Sequence, residues 1–217
     1  MVKKGDFVRI EYTGYDDAGN VFDSTSGEIA KEIHGKEGSM LIVFGFDYIV
    51  PGMADAITAM KKGEQKEFTL SPEKAFGSRD PSRLKVFSLS EFHRKEIDPY
   101  PGAIIQLETE FGTLNGLVKS VNSGRVLMDF NHPLADKNIR YNLKLCDVFE
   151  SPAEKVSELV KDLDIQGTAS LLGEKAVVLM KKGQPDAQVK KTRLTVAVKS
   201  TIPEIKDLEI NEAEGNS

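Results

Sequence analysis

The sequence predicts an α+β protein in which short antiparallel strands outnumber helices. Apolar and polar residues alternate at 8–12 and 65–70, which is the period-two pattern of strands with one buried face. Helical spacing is clear at only two places, after Pro51 and after Pro152. The chain is therefore expected to consist mainly of sheets with a few helices packed on them.

The composition is that of an ordinary globular chain. Its 217 residues are 40% hydrophobic and 29% charged, with a formal net charge of -5, which leaves room for one or two domains. The acidic balance weighs against tight non-specific binding to nucleic acid, and the longest apolar run, at 40–44, is too short to cross a bilayer. The single cysteine, Cys146, excludes an intramolecular disulfide and favours a reducing cytoplasm.

The first part of the chain predicts a hairpin, a short helix and a further strand. Turn-forming residues at 16–20 separate two apolar runs, which indicates a β-hairpin. Apolar positions at helical spacing predict a helix over 53–61, ended by Gly63. A strand over 65–70 and a loop from Pro72 to Gly77 follow.

The middle of the chain predicts a small antiparallel sheet. Residues 86–100 look irregular, and three closely spaced strands are expected at 104–111, 114–121 and 125–130. Gly112-Thr113 is expected to form one of the turns between them. One more alternating strand is expected at 139–148.

The last part of the chain mixes helices and strands. Ser151 and Pro152 predict the start of a helix, and strands are expected at 169–172, 175–180 and 208–210. Between 189 and 202 a strand pattern competes with a helical one, and we favour the helix.

Five short motifs carry the clearest information about function. Each joins apolar or aromatic residues to turn-forming ones, and the stretch contains no nucleophile with a base, no metal-ligand cluster and no phosphate-binding loop. The motifs therefore favour a site that holds an apolar group. In chain order they are Tyr12-Thr13-Gly14, Phe22-Asp23-Ser24, Ile49-Val50-Pro51-Gly52, Met60-Lys61-Lys62-Gly63-Glu64 and Pro72-Glu73-Lys74-Ala75-Phe76-Gly77.

In this order the motifs resemble those of the FKBP-type peptidyl-prolyl cis-trans isomerases. The resemblance implies an FKBP-like half-open antiparallel β-sheet wrapped on a short helix, with an apolar pocket between them. The late closing strand and the return motif at 131–135 are similar to the SlyD-like branch, which carries an insert-in-flap domain. Beyond residue 150 the chain resembles the long archaeal members, which add a C-terminal α/β domain. The implied domains are an isomerase domain at 1–85 and 132–150, an inserted small β domain at 86–131 and a C-terminal domain at 151–217.

The resemblance also implies which residues form the pocket. Met53 stands where many members have Trp, and Phe76 replaces a Tyr whose hydroxyl donates a hydrogen bond to a bound carbonyl, so weaker polar anchoring is expected. From the residues alone, the core of a barrel is the favoured interpretation of such aromatic side chains, and the ordered motifs favour the pocket instead. The residues expected to carry catalysis are Tyr12, Phe22, Asp23, Ile49 and Tyr141, and those expected to contact substrate are Met40, Val50, Met53 and Phe76.

The inserted region offers a second place for substrate to bind. Its apolar residues are expected to lie on the surface and to hold unfolded chains, although for any single residue a place in the small core of the insert itself is the favoured alternative. The residues expected to contact substrate there are Phe87, Leu89, Phe92, Ile97, Tyr100 and Ile105.

The resemblance implies a prolyl isomerase that also acts as a folding chaperone. Its expected partners are unfolded or partly folded polypeptides that contain proline, with no nucleic acid and no membrane. A non-catalytic holdase or peptide-binding module is the alternative, which Met53 and Phe76 keep open. No cofactor is expected, and no metal, because His34, His93 and His132 are not spaced as ligands. The C-terminal region is expected to form a homodimer.

Overall fold

The computed structural model describes residues 1–109 and 112–213. The chain forms two compact units: the first joins Met1–Thr69 to Arg140–Ser217, and the second is Leu70–Ile139. Within the described residues, no helix is long and apolar enough to cross a membrane. The helices are α1 (Gly27–His34), α2 (Pro51–Ala59), α3 (Leu89–His93), α4 (Pro152–Asp162) and α5 (Ala187–Thr201). The strands are β1 (Phe7–Tyr15), β2 (Val21–Ser24), β3 (Met40–Val43), β4 (Gln65–Leu70), β5 (Leu84–Ser88), β6 (Ile104–Thr109), β7 (Gly112–Asn122), β8 (Arg125–Asp129), β9 (Ile139–Phe149), β10 (Gly167–Leu172), β11 (Lys175–Lys181) and β12 (Asp207–Ala213).

The main sheet of the first unit has the order β2-β1-β9-β4, with β3 paired to β1. The predicted hairpin is confirmed, because β1 and β2 pair antiparallel across the turn at 16–20. The predicted helix is also confirmed as α2, and it begins at Pro51, where proline is well tolerated because no helix partner is needed for its nitrogen. The sequence did not predict α1 or β3, which have only eight and four residues.

The C-terminal part of the first unit has a sheet of order β10-β11-β12, with α4 and α5. The hydroxyl of Ser151 caps α4 as expected, in a reciprocal pair with Glu154. The helical interpretation of 189–202 is confirmed by α5, where Leu194 and Val198 are fully buried while Val196 is exposed. A strand would have placed all three on one face.

The C-terminal part shares a core with the main sheet. Phe7 of β1 and Val43 of β3 lie in the same buried cluster as Val156 of α4 and Leu194 of α5. Burial of apolar surface in one continuous cluster ties these elements together more firmly than separate cores would. The three predicted domain boundaries stay a prediction.

The second unit is built on a four-stranded antiparallel sheet of order β5-β8-β7-β6. The prediction that 86–100 is irregular was wrong, because that segment contains the end of β5 and all of α3. The prediction of a turn at Gly112-Thr113 was also wrong, because β7 begins at Gly112; Phe111, predicted to end the preceding strand, lies outside the described residues. The core consists of Phe92, Ile105, Val118, Val126 and Met128.

Candidate functional site

Tyr141 on β9 is the centre of a group of aromatic rings in the first unit. The rings of Tyr12 and Phe22 meet it edge to face, with centroids 6.1 Å and 6.0 Å away. Phe68 on β4 lies 6.0 Å away at a tilt of 37°. Rings at this spacing attract one another beyond the gain from burial. The structure thus brings three predicted residues together in one apolar wall, to which it adds Phe68.

Gly14 allows these rings to approach the sheet. It pairs with Asp23 on β2 and with Tyr141 on β9. A Cβ atom at this position would lie 2.7 Å from Phe22 Cζ and 2.9 Å from Tyr141 Cε1, closer than side chains normally come. The glycine of the first motif is therefore needed because aromatic rings cover it.

The carboxylate of Asp23 is held at both oxygens. The hydroxyl of Tyr12 donates to Oδ2 at 2.7 Å, and Nε2 of His34 lies 2.8 Å from Oδ1. Because an ionised carboxylate only accepts hydrogen bonds, Nε2 carries the proton in this contact. The family resemblance named Asp23 and Tyr12 together as site residues, but nothing in the sequence connected His34 to them, since His34 ends a helix, α1, that the sequence did not predict.

Burial raises the pKa of both tyrosine hydroxyls in this group. For Tyr12 the hydrogen bond to Asp23 and the negative charge of that residue add to the effect of burial, and for Tyr141 the charge of Asp23 adds to it. Both hydroxyls therefore stay protonated at physiological pH. They can donate hydrogen bonds, and neither serves as a base.

The predicted contact residues at the start of α2 and on β3 are apolar and largely covered. Val50 and Met53 are buried, while Ile49 and, on β3, Met40 are half-buried. Among the described residues, none accepts a hydrogen bond from the backbone N–H of Ile49. This donor is therefore free to meet a substrate carbonyl, as the resemblance implies. Contact between these residues and substrate stays a prediction.

Phe76 belongs to the second unit. Its ring stacks on the imidazole of His132, with centroids 4.4 Å apart and planes 2° from parallel. Nδ1 of His132 accepts a hydrogen bond from the N–H of Leu134 at 3.1 Å, and burial lowers the pKa of the imidazole. The neutral imidazole of His132 is therefore favoured. The Phe76 ring that stacks on it has no hydroxyl that could donate a hydrogen bond.

The predicted contact residues of the insert differ in their exposure. Phe92 and Ile105 are only 3% and 8% exposed. The expectation that these two lie on the surface was wrong, and the alternative, that they form a small core, is confirmed. They are buried because α3 and the sheet cover them. Tyr100 is 67% exposed. Half-buried and packed against the same core are Phe87, Leu89 and Ile97.

A groove of 670 Å³ lies on the second unit, and its walls are mostly apolar. Val86 and Leu114, which line it, are 61% and 50% exposed, so apolar surface is open to solvent. Of its apolar residues the sequence had singled out only Phe87. Leu107 and Phe130 complete the apolar walls, and Ser82, Arg83, Lys85 and Glu108 form the polar rim.

The described residues contain no group of three or more His, Cys, Asp or Glu side chains arranged to hold a metal ion. Cys146 is half-buried, and burial raises the pKa of its thiol. A thiol with a raised pKa is a poor nucleophile at neutral pH. The aromatic group around Tyr141 is therefore suited to binding rather than to covalent chemistry.

Comparison with known proteins identifies the class. Residues 1–92 match the family described as FKBP-type peptidyl-prolyl cis-trans isomerase, and residues 85–134 match the one described as FKBP26, IF domain. The short-type peptidyl-prolyl cis-trans isomerase of Methanocaldococcus jannaschii is 32% identical over 159 residues, which cover 71% of this chain and 97% of that relative. The chain belongs to the FKBP-type peptidyl-prolyl cis-trans isomerase family.

Further relatives support the SlyD-like branch of that family. The FKBP-type isomerase SlyD of Aeromonas hydrophila is 29% identical over 150 residues, covering 69% of this chain and 66% of its own length. The FKBP-type 16 kDa isomerase of Escherichia coli strain K12 is 28% identical over 127 residues, covering 58% of this chain and 83% of its own. The α+β FKBP fold and the peptidyl-prolyl cis-trans isomerase activity predicted from the motifs are confirmed.

Proposed function

We propose that this isomerase acts on X-Pro bonds in unfolded and partly folded proteins and also holds those chains as a folding chaperone in the cytoplasm. The open apolar groove of the second unit carries the chaperone part of the proposal. Uncovered apolar surface of this kind is where other chains bind. The partners are then unfolded or partly folded polypeptides that contain proline.

The isomerase reaction needs no covalent step. Rotation about a peptide bond crosses a barrier of about 18–20 kcal/mol, and uncatalysed X-Pro exchange takes tens of seconds or more. The planar amide is more polar than the twisted one, so water stabilises the ground state more than the transition state. Aromatic walls exclude that water, and a site that binds the twisted amide more tightly than the planar one lowers the barrier.

In this mechanism the aromatic wall grips the proline ring. Tyr12, Phe22 and Tyr141 supply its faces and edges, and their mutual contacts at about 6 Å support a fixed arrangement. The N–H of Ile49 donates to a substrate carbonyl. Asp23 accepts the hydrogen bond from Tyr12 and so sets the direction in which that ring points.

The groove on the second unit suits an extended apolar segment. Its lining includes Val86 and Phe87 of β5 and Leu107 of β6, which are the two edge strands of the four-stranded sheet. The unpaired backbone groups of an edge strand can hydrogen-bond to an added strand, while open side chains such as Val86 supply apolar contact. Segments of this kind are exposed in unfolded proteins and buried in folded ones.

We further propose that the chain forms a homodimer through its C-terminal part. One face of the sheet formed by β10, β11 and β12 is buried, with Ala176 and Val178 fully covered. The opposite face leaves Leu172 and Leu179 exposed, at 67% and 45%. A second copy of the chain would cover these two leucines, beside the ion pair that Lys175 forms with Glu209 on the same face.

The experiment for the chaperone proposal changes the groove without touching the core. The double substitution Val86→Ser with Leu114→Ser removes two exposed apolar side chains. We expect catalysed refolding of a proline-limited protein to slow by about tenfold, because each lost apolar contact weakens client binding. Protease-coupled isomerisation of a short Xaa-Pro peptide should stay unchanged.

Val196→Ser is the matched control, because Val196 of α5 has the same 61% exposure as Val86. Refolding at the wild-type rate by the groove variant would refute the client-binding role. Equal slowing in the control would refute it as well.

A further inference from the structure

His34 has a side chain whose position the mechanism above does not use. It is the last residue of α1, and Gly35 follows it in the left-handed conformation with φ 73°. Glycine adopts this conformation without strain, so the helix ends here and the imidazole has a defined starting point. Its Nε2 atom lies 2.8 Å from Oδ1 of Asp23.

The two contacts of Asp23 depend on each other. With His34 on Oδ1 and Tyr12 on Oδ2, the carboxylate has a donor at each oxygen and cannot rotate without losing one. Without His34, the partly exposed carboxylate would turn toward water, and Tyr12 would lose the acceptor that sets its orientation. A small displacement of a group in the site is enough to slow a reaction substantially.

We propose that His34 is a positioning residue for the isomerase reaction: it acts through Asp23 to hold the Tyr12 ring as a wall of the proline pocket. This role affects the reaction at the X-Pro bond and is independent of the chaperone function, because short peptides measure the reaction without using the groove.

The other charged groups near the end of α1 pair with one another rather than with Asp23: Lys31 with Glu28 and Glu37, and Lys36 with Asp162. Tyr12 and His34 are therefore the side chains that hold the Asp23 carboxylate.

The first test measures the positioning role at about pH 7.5 on a short neutral Xaa-Pro peptide. We expect His34→Ala to lower kcat/KM by about fivefold and His34→Gln, which keeps an N–H donor at similar reach, to stay within about twofold of wild type. In an Asp23→Asn background, His34→Ala should cause no further loss. A His34→Ala enzyme with wild-type kcat/KM, or an equal loss in both backgrounds, would overturn the proposal.

The second test keeps the size of the side chain and decides the matter even if His34→Ala fails to fold. His34→Phe keeps a ring at this position but has no N–H to donate to Asp23, so kcat/KM should fall about fivefold, whereas His34→Gln stays close to wild type. His93→Phe is the control, since His93 is an exposed histidine of the second unit, and it should behave as wild type. A His34→Phe enzyme with wild-type kcat/KM would overturn the proposal.

Discussion

At the scale of single residues, the site requires a glycine at position 14, because no side chain fits there. Gly14 lies beneath the rings of Phe22 and Tyr141, and nothing larger fits there. The backbone of Gly14 is not in the left-handed conformation, so alanine can adopt it. The methyl group of alanine would, however, clash with the two rings. The substitution therefore tests ring packing separately from backbone strain.

We expect Gly14→Ala to lower kcat/KM on a short Xaa-Pro peptide by about tenfold and the free energy of unfolding by about 1–3 kcal/mol, because both rings must shift to admit the new methyl group. Peptide assays and denaturant unfolding measure the two effects. Gly116→Ala is the matched control: its Cβ would lie 2.6 Å from Met128 Cε and 2.7 Å from Phe130 Cε1, a similar clash in the second unit. It should lower stability and leave peptide activity intact, and equal activity losses would contradict this account.

The sequence predicted the site residues that lie within the motifs, but it did not predict those that reach the site only through folding. Tyr12, Phe22 and Asp23 stand within short ordered motifs, so their grouping could be inferred. Phe68 enters the site through a contact with Tyr141, which lies far along the chain, and His34 enters it at the end of a helix, α1, that the sequence did not predict. Exposure in the insert also depends on which side of the sheet α3 covers.

At the scale of elements, a helix or strand could be predicted only where several residues shared one apolar period or a capping signal. The long alternating strands β1 and β9 and the capped helix α4 were predicted, because each has several residues that agree. α1 and β3 are too short to show a period. In α5 two periods competed, and burial of Leu194 and Val198 on one face shows that packing against the shared core decided the outcome.

An ion pair joins α4 to β1. Glu158 is buried and accepts hydrogen bonds from Nε of Arg9 at 2.7 Å and from Nζ of Lys161 at 2.6 Å. Burial raises the pKa of Glu158, but the hydrogen bonds and charges of Lys161 and Arg9 outweigh it and leave the pKa below its ordinary value. Arg9 also donates to the carbonyl of Ser39 at 3.1 Å.

We expect Glu158→Gln to lower the free energy of unfolding by about 2 kcal/mol at pH 7, because it leaves the charge of Arg9 without its closest partner. A carboxylate whose pKa is lowered by folding stabilises the protein above its unfolded pKa, and this contribution is lost as pH falls through the folded pKa. The difference from wild type should therefore shrink below about pH 4. Denaturant unfolding across pH measures it, with the exposed Glu174→Gln as control, and a loss that does not vary with pH would contradict the ion-pair account.

At the scale of the whole molecule, the chain order explains why the pocket could be only partly read from its motifs. The chain leaves the first unit after Thr69 and re-enters it at Arg140, one residue before Tyr141. The central ring of the aromatic group thus comes from a segment far along the sequence from the motifs that supply its neighbours. Only the family resemblance connected Tyr141 with the motifs that contain Tyr12 and Phe22, because no periodicity in the sequence links them.

The proposed homodimer can be tested by the mass of the protein in solution. If a second copy covers the open face of the sheet formed by β10, β11 and β12, the wild-type protein should show twice the mass of one chain by light scattering after size exclusion. Leu179→Glu should shift it to the mass of one chain, because the interface would lose an apolar contact and bury an added negative charge near Glu209, which is costly. Val196→Glu, at an exposed position of α5, should leave the dimer intact. A wild-type monomer, or a Leu179→Glu dimer, would show that this face is not the interface.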